Sequence, residues 1–407
     1  VLTSGANTYT YATDTTNRLL RVSHTEQPYS QTATVLVENA DNNLTSLSLE
    51  GYQGVLSYGY VTASGDEFSA TAPLKVKAQE LYSAQGILVC QLVLYGISDQ
   101  LNEDEASGPY TPESEDIWTI KSLIGFIAGA TLAPYSHCTA LTVTYDSEDS
   151  LIDSYIPKDY FTILKGETRL AKLKELLGYT KCVMRIGADS AIHILNPTVT
   201  GTTYDYEYND TILSTNHTFF SKVYRNRLVL PNKVVVSSSD SVEPQQFSGS
   251  ATSATSFALL PKTHFVTRRL VSDAQATSIA EAMIQRLELD HEKGNGFAPM
   301  NVGQEVYDYV KITDSREGDN RVGNVGWLTR NYEPGRFDFS FGFGDILLGA
   351  QIGQVGQVGQ EQPYVTYAYL TELLKGWDAQ LMDTRLMIGA LTLLVKGMLE
   401  DVYFKNV

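Results

Sequence analysis

Six histidines, three cysteines and a short acidic run are the residues in this chain whose types would do chemistry. The histidines are His24, His137, His193, His217, His264 and His291. No two stand at i, i+4, and no His-Glu-x-x-His motif is present, so a zinc hydrolase is not indicated. Cys90, Cys138 and Cys182 form no Cys-x-x-Cys pair and are odd in number. They read as small buried side chains, not as a disulfide framework or a thiolate zinc site. Asp146, Glu148, Asp149 and Asp153 have loose calcium-loop spacing, but the glycine and closing glutamate of that loop are missing, and a solvated loop is expected. Asp290-His291-Glu292 ends a helical pattern and reads as a solvated terminus.

Other catalytic motifs are missing too. There is no Gly-x-Ser-x-Gly elbow and no phosphate loop closing on Gly-Lys-Ser or Gly-Lys-Thr. Gly323-Asn324-Val325-Gly326 is too short for a dinucleotide loop and is expected to be a turn. Arg268-Arg269 is the one adjacent basic pair, far from a nucleic-acid patch. Glycoside cleavage by paired carboxylates has no readable spacing among 47 acidic residues. No catalytic site, metal or cofactor is therefore expected.

The elements that would position these residues follow from composition and pattern. The chain has 407 residues, room for two or three domains of roughly 150 residues. Its net charge of −17 repels phosphate backbones, which argues against general nucleic-acid binding. The 25 tyrosines and 31 glycines suit strands and turns better than a helical bundle. No run reaches the roughly 18 apolar residues of a membrane span. The first residues lack a basic segment followed by an apolar one, so no signal peptide is expected, and Val1 in place of Met suggests a late start.

Along the chain the pattern predicts a first β-barrel domain over 1–108, with a strand at 34–37, a dense turn at 39–43 and a long buried strand between Gly86 and Gly96. An acidic stretch at 102–116 closes it. An α/β module follows over 109–205, with helices at 117–133 and 168–177 and strands at 182–186 and 191–195. A second β-barrel domain is expected over 206–345. It has strands at 227–230, 233–236, 309–312, 321–330 and 336–343, a weakly patterned mobile loop at 237–256, and an amphipathic helix at 272–290. Phe337, Phe339, Phe341 and Phe343 alternate as in a half-buried strand. A Gly/Gln/Val linker spans 346–363 and a helical segment 364–407. The fold class is mainly β with an α+β insertion.

The last segment carries a heptad seam: Leu370, Leu374, Trp377, Leu381, Thr384, Ile388, Leu391, Val395, Met398 and Val402 step alternately by four and three. Leu373, Met387 and Leu394 widen the stripe, while Gly376, Gly389 and Gly397 weaken the helix by about 1 kcal/mol each. These ten positions are expected as a coiled-coil seam around a threefold axis, the competing reading being an amphipathic helix packed on its own barrel.

The order of elements resembles the phage baseplate and tail hub family, which has relatives in contractile injection devices and type VI secretion spikes. The resemblance spans residues 15–345. It rests on the Asn-Ala-Asp-Asn-Asn turn between strands over 33–58, and on the Phe-Thr-Ile-Leu strand, Gly-Glu-Thr-Arg helix start and Leu-Leu-Gly-Tyr-Thr of 157–197. In the third part it rests on Asn232-Lys-Val-Val-Val, on Asp308-Tyr-Val-Lys-Ile-Thr-Asp, and on Tyr332-Glu-Pro-Gly before the aromatic strand. The resemblance implies a non-enzymatic homotrimer whose two similar barrels per chain build a pseudo-sixfold collar. That collar would join a tail tube or distal tail protein to a tip, spike or fibre protein, with a tape-measure protein as a further partner. It would line the DNA ejection channel at the distal end of the virion tail, assembled in the host cytoplasm. An acidic bore would let DNA pass without sticking. The alternatives are an extracellular β-rich glycan-binding or glycan-cleaving protein and a self-assembling surface-layer or adhesin subunit.

Overall fold

The computed structural model describes residues 1–344 except 13–16, 64, 85–86, 114–115, 212–216, 226–227, 239–245 and 292. The linker, the C-terminal helical segment and its seam from Leu370 to Val402 lie outside the described residues.

A 14-stranded sheet dominates the described body. In its first half, the hairpin of Leu19–Gln27 and Ser30–Glu38 lies beside the hairpin of Leu74–Ala84 and Ile87–Gly96. In its second half, Tyr309–Asp314, Asp319–Glu333 and Arg336–Phe343 run as a meander, and Lys293–Pro299 returns beside Arg336–Phe343. The 15-residue strand Asp319–Glu333 is the junction: its first part pairs with Tyr309–Asp314, and its second part lies between Arg336–Phe343 and Leu19–Gln27. A register shift between Val325 and Trp327 marks the change of partner.

This corrects the expectation of two separate, similar β-barrels. Leu328–Tyr332 pairs antiparallel with Val22–Glu26, so both halves belong to one continuous sheet, and the halves are wired differently. The physical reason is that two strand edges, which would otherwise expose backbone donors and acceptors, satisfy each other. Gly323-Asn324-Val325-Gly326 is likewise no turn but part of the junction strand. Its glycines admit neighbours: a Cβ at Gly323 would meet the Phe343 ring, and one at Gly326 the Gly344 backbone.

The α/β module forms largely where its pattern predicts. Thr119 caps the helix Ile120–Ala128 by accepting the Ser122 N–H, and Thr168 caps Arg169–Leu177 by accepting that of Ala171. Val143–Tyr145, Ile192–Leu195 and Val183–Ile186 make a three-stranded sheet. The stretch 161–164, expected as a strand, contributes only an isolated bridge from Ile163 to Tyr110. There the Glu167 carboxylate takes the Leu164 N–H at 2.5 Å and Gly166 adopts φ +85°, turning the chain into the helix instead.

Ser272 caps the helix Asp273–Leu289, which lies on a second three-stranded sheet of Ser248–Thr252, Lys233–Ser237 and Thr263–Thr267. The expected mobile loop at 237–256 therefore contains the strand Ser248–Thr252 and the start of the helix Ala254–Leu259. The strand expected at 227–230 does not form at its described residues, where the Val229 N–H goes to the Ser256 hydroxyl at 3.1 Å.

Two apolar cores result. One joins the α/β module to Val234, Val236, Val266 and the inner face of Asp273–Leu289, and the other fills the large sheet from Val22 and Leu92 to Phe339, Phe341 and Phe343.

Candidate functional site

The histidines do not converge. His24 is fully buried on the strand Leu19–Gln27, stacked on Tyr58, with Nε2 3.5 Å from the Glu26 carboxylate. Burial lowers its pKa to about 4, so the ring is neutral at physiological pH. Arg330, also buried, pairs with Glu26 and donates to the Gln304 carbonyl at 2.5 Å. His193 lies between two acids: Nδ1 is 3.0 Å from Asp146 and Nε2 3.1 Å from Asp189. Burial pulls its pKa down, but the hydrogen bonds its ring donates to Asp189 and Asp146 outweigh it and the net shift is upward. With each ring nitrogen engaged by a different carboxylate, this is a clamp between the loop after Val143–Tyr145 and the turn 187–190. His217 rests against Tyr206 and Tyr208, and the His291 Nδ1 sits 3.1 Å from the Glu288 carbonyl at the helix end.

The acidic run is spent on structure. Asp146 meets His193, Glu148 and Asp153 both bind Lys121, and Asp149 accepts the N–H groups of Leu151 and Lys181. Among the described residues no group of three His, Cys, Asp or Glu is placed to hold a metal ion. The three cysteines are free, and burial raises each thiol, the opposite of an activated nucleophile.

Buried arginines were not legible as such, and they hold the elements together. Arg169 donates to the Ile127 and Ala128 carbonyls at the end of helix Ile120–Ala128, to Thr139, and to the Asp104 carboxylate at 2.7 Å. Arg286, on Asp273–Leu289, donates to the carbonyls of Leu177, Thr180 and Cys182 at the end of Arg169–Leu177. Each places a cation at the negative, C-terminal end of a helix, where it adds a charged donor to the last carbonyls. Asp308 receives the Gln304 side-chain N–H and the Glu305 N–H, both at 2.7 Å, yet burial pushes its pKa up to about 7.

The surface carries the other signal. Val61 and Phe68 on the hairpin 57–70, Phe265 on Thr263–Thr267, and Leu259 and Val271 nearby in sequence are all at least 70 % exposed. The expected seam residues add nothing to this picture, because they lie outside the described residues.

No family model matches the chain, and no curated protein matches it in sequence. Solved structures do resemble it. The tail protein from Neisseria meningitidis has a TM-score of 0.55 at 10 % identity, covering 81 % of this chain and 93 % of its own. The 43 kDa tail protein of prophage MuSo2 from Shewanella oneidensis has a TM-score of 0.53 at 10 % identity, covering 84 % and 96 %. The prophage tail protein gp18 from Listeria monocytogenes has a TM-score of 0.50 at 9 % identity, covering 87 % and 93 %. At these identities the likeness is one of fold: the chain carries the fold of phage tail proteins, the group its sequence resembles.

Proposed function

We propose that this chain is a structural subunit of a phage tail, a trimeric hub at the distal end that joins the tube to the tip and surrounds the path of the DNA. One observation carries the reading: the fold likeness spans four-fifths of this chain and nearly the whole of the tail proteins it matches. The chemistry is consistent with a scaffold, since buried ion pairs and arginine–carbonyl contacts tie elements together. The excess of 47 acidic over 30 basic residues suits a bore through which DNA slides. With one sheet running through both halves, the ring is not a collar of two separate, equal barrels per chain. The seam from Leu370 to Val402 supplies a second trimer contact in this reading. Mass measurement of the full chain under native conditions tests it: a species of three times 44.9 kDa is expected, and a monomer at micromolar concentration contradicts it.

A further inference from the structure

Two exposed strand edges on the described body match each other in length, face chemistry and charge. The first is Gly65–Ala70, which among the described residues pairs only with Ser57–Thr62. Their hairpin has two unlike faces. Tyr58 and Tyr60 share the face toward the rest of the fold: Tyr58 is buried, and Tyr60 meets Phe337 edge-on while its hydroxyl donates to the Met300 carbonyl at 2.7 Å. The register puts Gly59 and Phe68 opposite each other on the other face, with Val61 two residues on, and there Phe68 is 72 % and Val61 87 % exposed. Gly59 is required, because a Cβ would stand 2.6 Å from that of Phe68. Segment 57–70 contains two acidic residues, Asp66 and Glu67, and no basic one.

The second edge is Thr263–Thr267, at the border of its sheet beside Lys233–Ser237. Its Val266 points inward and is buried, whereas Phe265, opposite Val235, is 74 % exposed on the outer face. Segment 262–269 holds three basic residues, Lys262, Arg268 and Arg269, and no acidic one, in a chain that is otherwise strongly acidic. A bare apolar edge is a hazard that folded proteins cover, and an acidic apolar hairpin is its complement.

We propose that copies of this chain associate head to tail, the edge Gly65–Ala70 of one adding to the edge Thr263–Thr267 of the next. Six and five residues give a ladder of roughly 17–20 Å. Added parallel with Phe68 beside Phe265, the strands supply both edges with backbone partners, bring the two rings onto one sheet, and set Glu67 opposite His264 and diagonal to Lys262. Because the two patches differ, the contact is heterologous and closes into a ring when its rotation divides the circle. The inference rests on the ring reading above and names the surfaces that would build it.

The test uses the full-length chain and native mass measurement over a dilution series. Glu67→Lys and Lys262→Glu each place like charges together and should raise the dissociation midpoint roughly tenfold or more, while E67K/K262E returns it toward wild type. Phe265→Asp should abolish assembly. All three side chains are exposed, so unchanged thermal unfolding shows that the fold is kept. A wild-type oligomer that neither single variant weakens overturns this contact and leaves the ring reading standing. A double variant no better assembled than the singles also overturns the contact. A monomeric wild type overturns the ring itself and leaves these edges to a different protein.

Discussion

Two histidines with opposite shifts give the residue scale its clearest tests. For His24 the folded pKa of about 4 lies below the ordinary 6.5. Between those values the unfolded chain takes up a proton that the folded chain refuses. Its contribution to stability is thus whole above about pH 6.5 and falls as pH drops toward 4, by about 3 kcal/mol in total. Urea unfolding across that range should show the decline, and His24→Phe should flatten it. His193 works the other way. Asp189 and Asp146 hold its folded pKa above the ordinary value, so its contribution is full below pH 6.5 and is lost as pH rises through the folded value. His193→Ala should lower stability at pH 6 and leave it nearly unchanged at pH 9. The sequence showed each histidine singly and showed the absence of metal-ligand spacing. It did not show the clamp, because Asp146 reaches His193 only through the parallel pairing of Val143–Tyr145 with Ile192–Leu195. Burial of Arg169, Arg286 and Arg330 was hidden for the same reason: the carbonyls they serve come from segments distant in sequence.

At the scale of elements, what was legible had local causes. The helices Arg169–Leu177 and Asp273–Leu289 announce themselves by a threonine or serine cap and an apolar stripe, and the strand Arg336–Phe343 by its alternating phenylalanines. The strand Ser248–Thr252 was hidden because its residues are small: Gly249 and Ala251 face the helix Asp273–Leu289, and no bulky residue would fit there. A Cβ on Gly249 would stand 2.3 Å from the Thr277 backbone nitrogen. Gly249→Ala should therefore push helix from sheet and cost about 1–3 kcal/mol in chemical unfolding. Gly125→Ala is the contrast, since nothing lies within 4 Å of a Cβ there and the position is inside the helix Ile120–Ala128. That change should add about 0.5–1 kcal/mol. If both glycines respond alike, the packing of Asp273–Leu289 against Ser248–Thr252 is not the cause.

For the whole molecule, the order of elements was enough to reach a mainly β chain resembling phage tail proteins, but not the join between its halves. The junction pairs Thr25 with Thr329, whose hydroxyls lie 3.0 Å apart across 304 residues, and no sequence period reports a pairing that distant. If the seam from Leu370 to Val402 adds a second contact, a chain ending at residue 360 should still form rings but dissociate at lower dilution or lower denaturant than the full chain. Unchanged ring stability after that truncation would remove the seam from the account. The most direct measurement is electron microscopy of the purified full-length chain at micromolar concentration. Class averages should show a closed threefold ring around a central bore. Uniform single-chain particles, or open sheets and filaments, would contradict it.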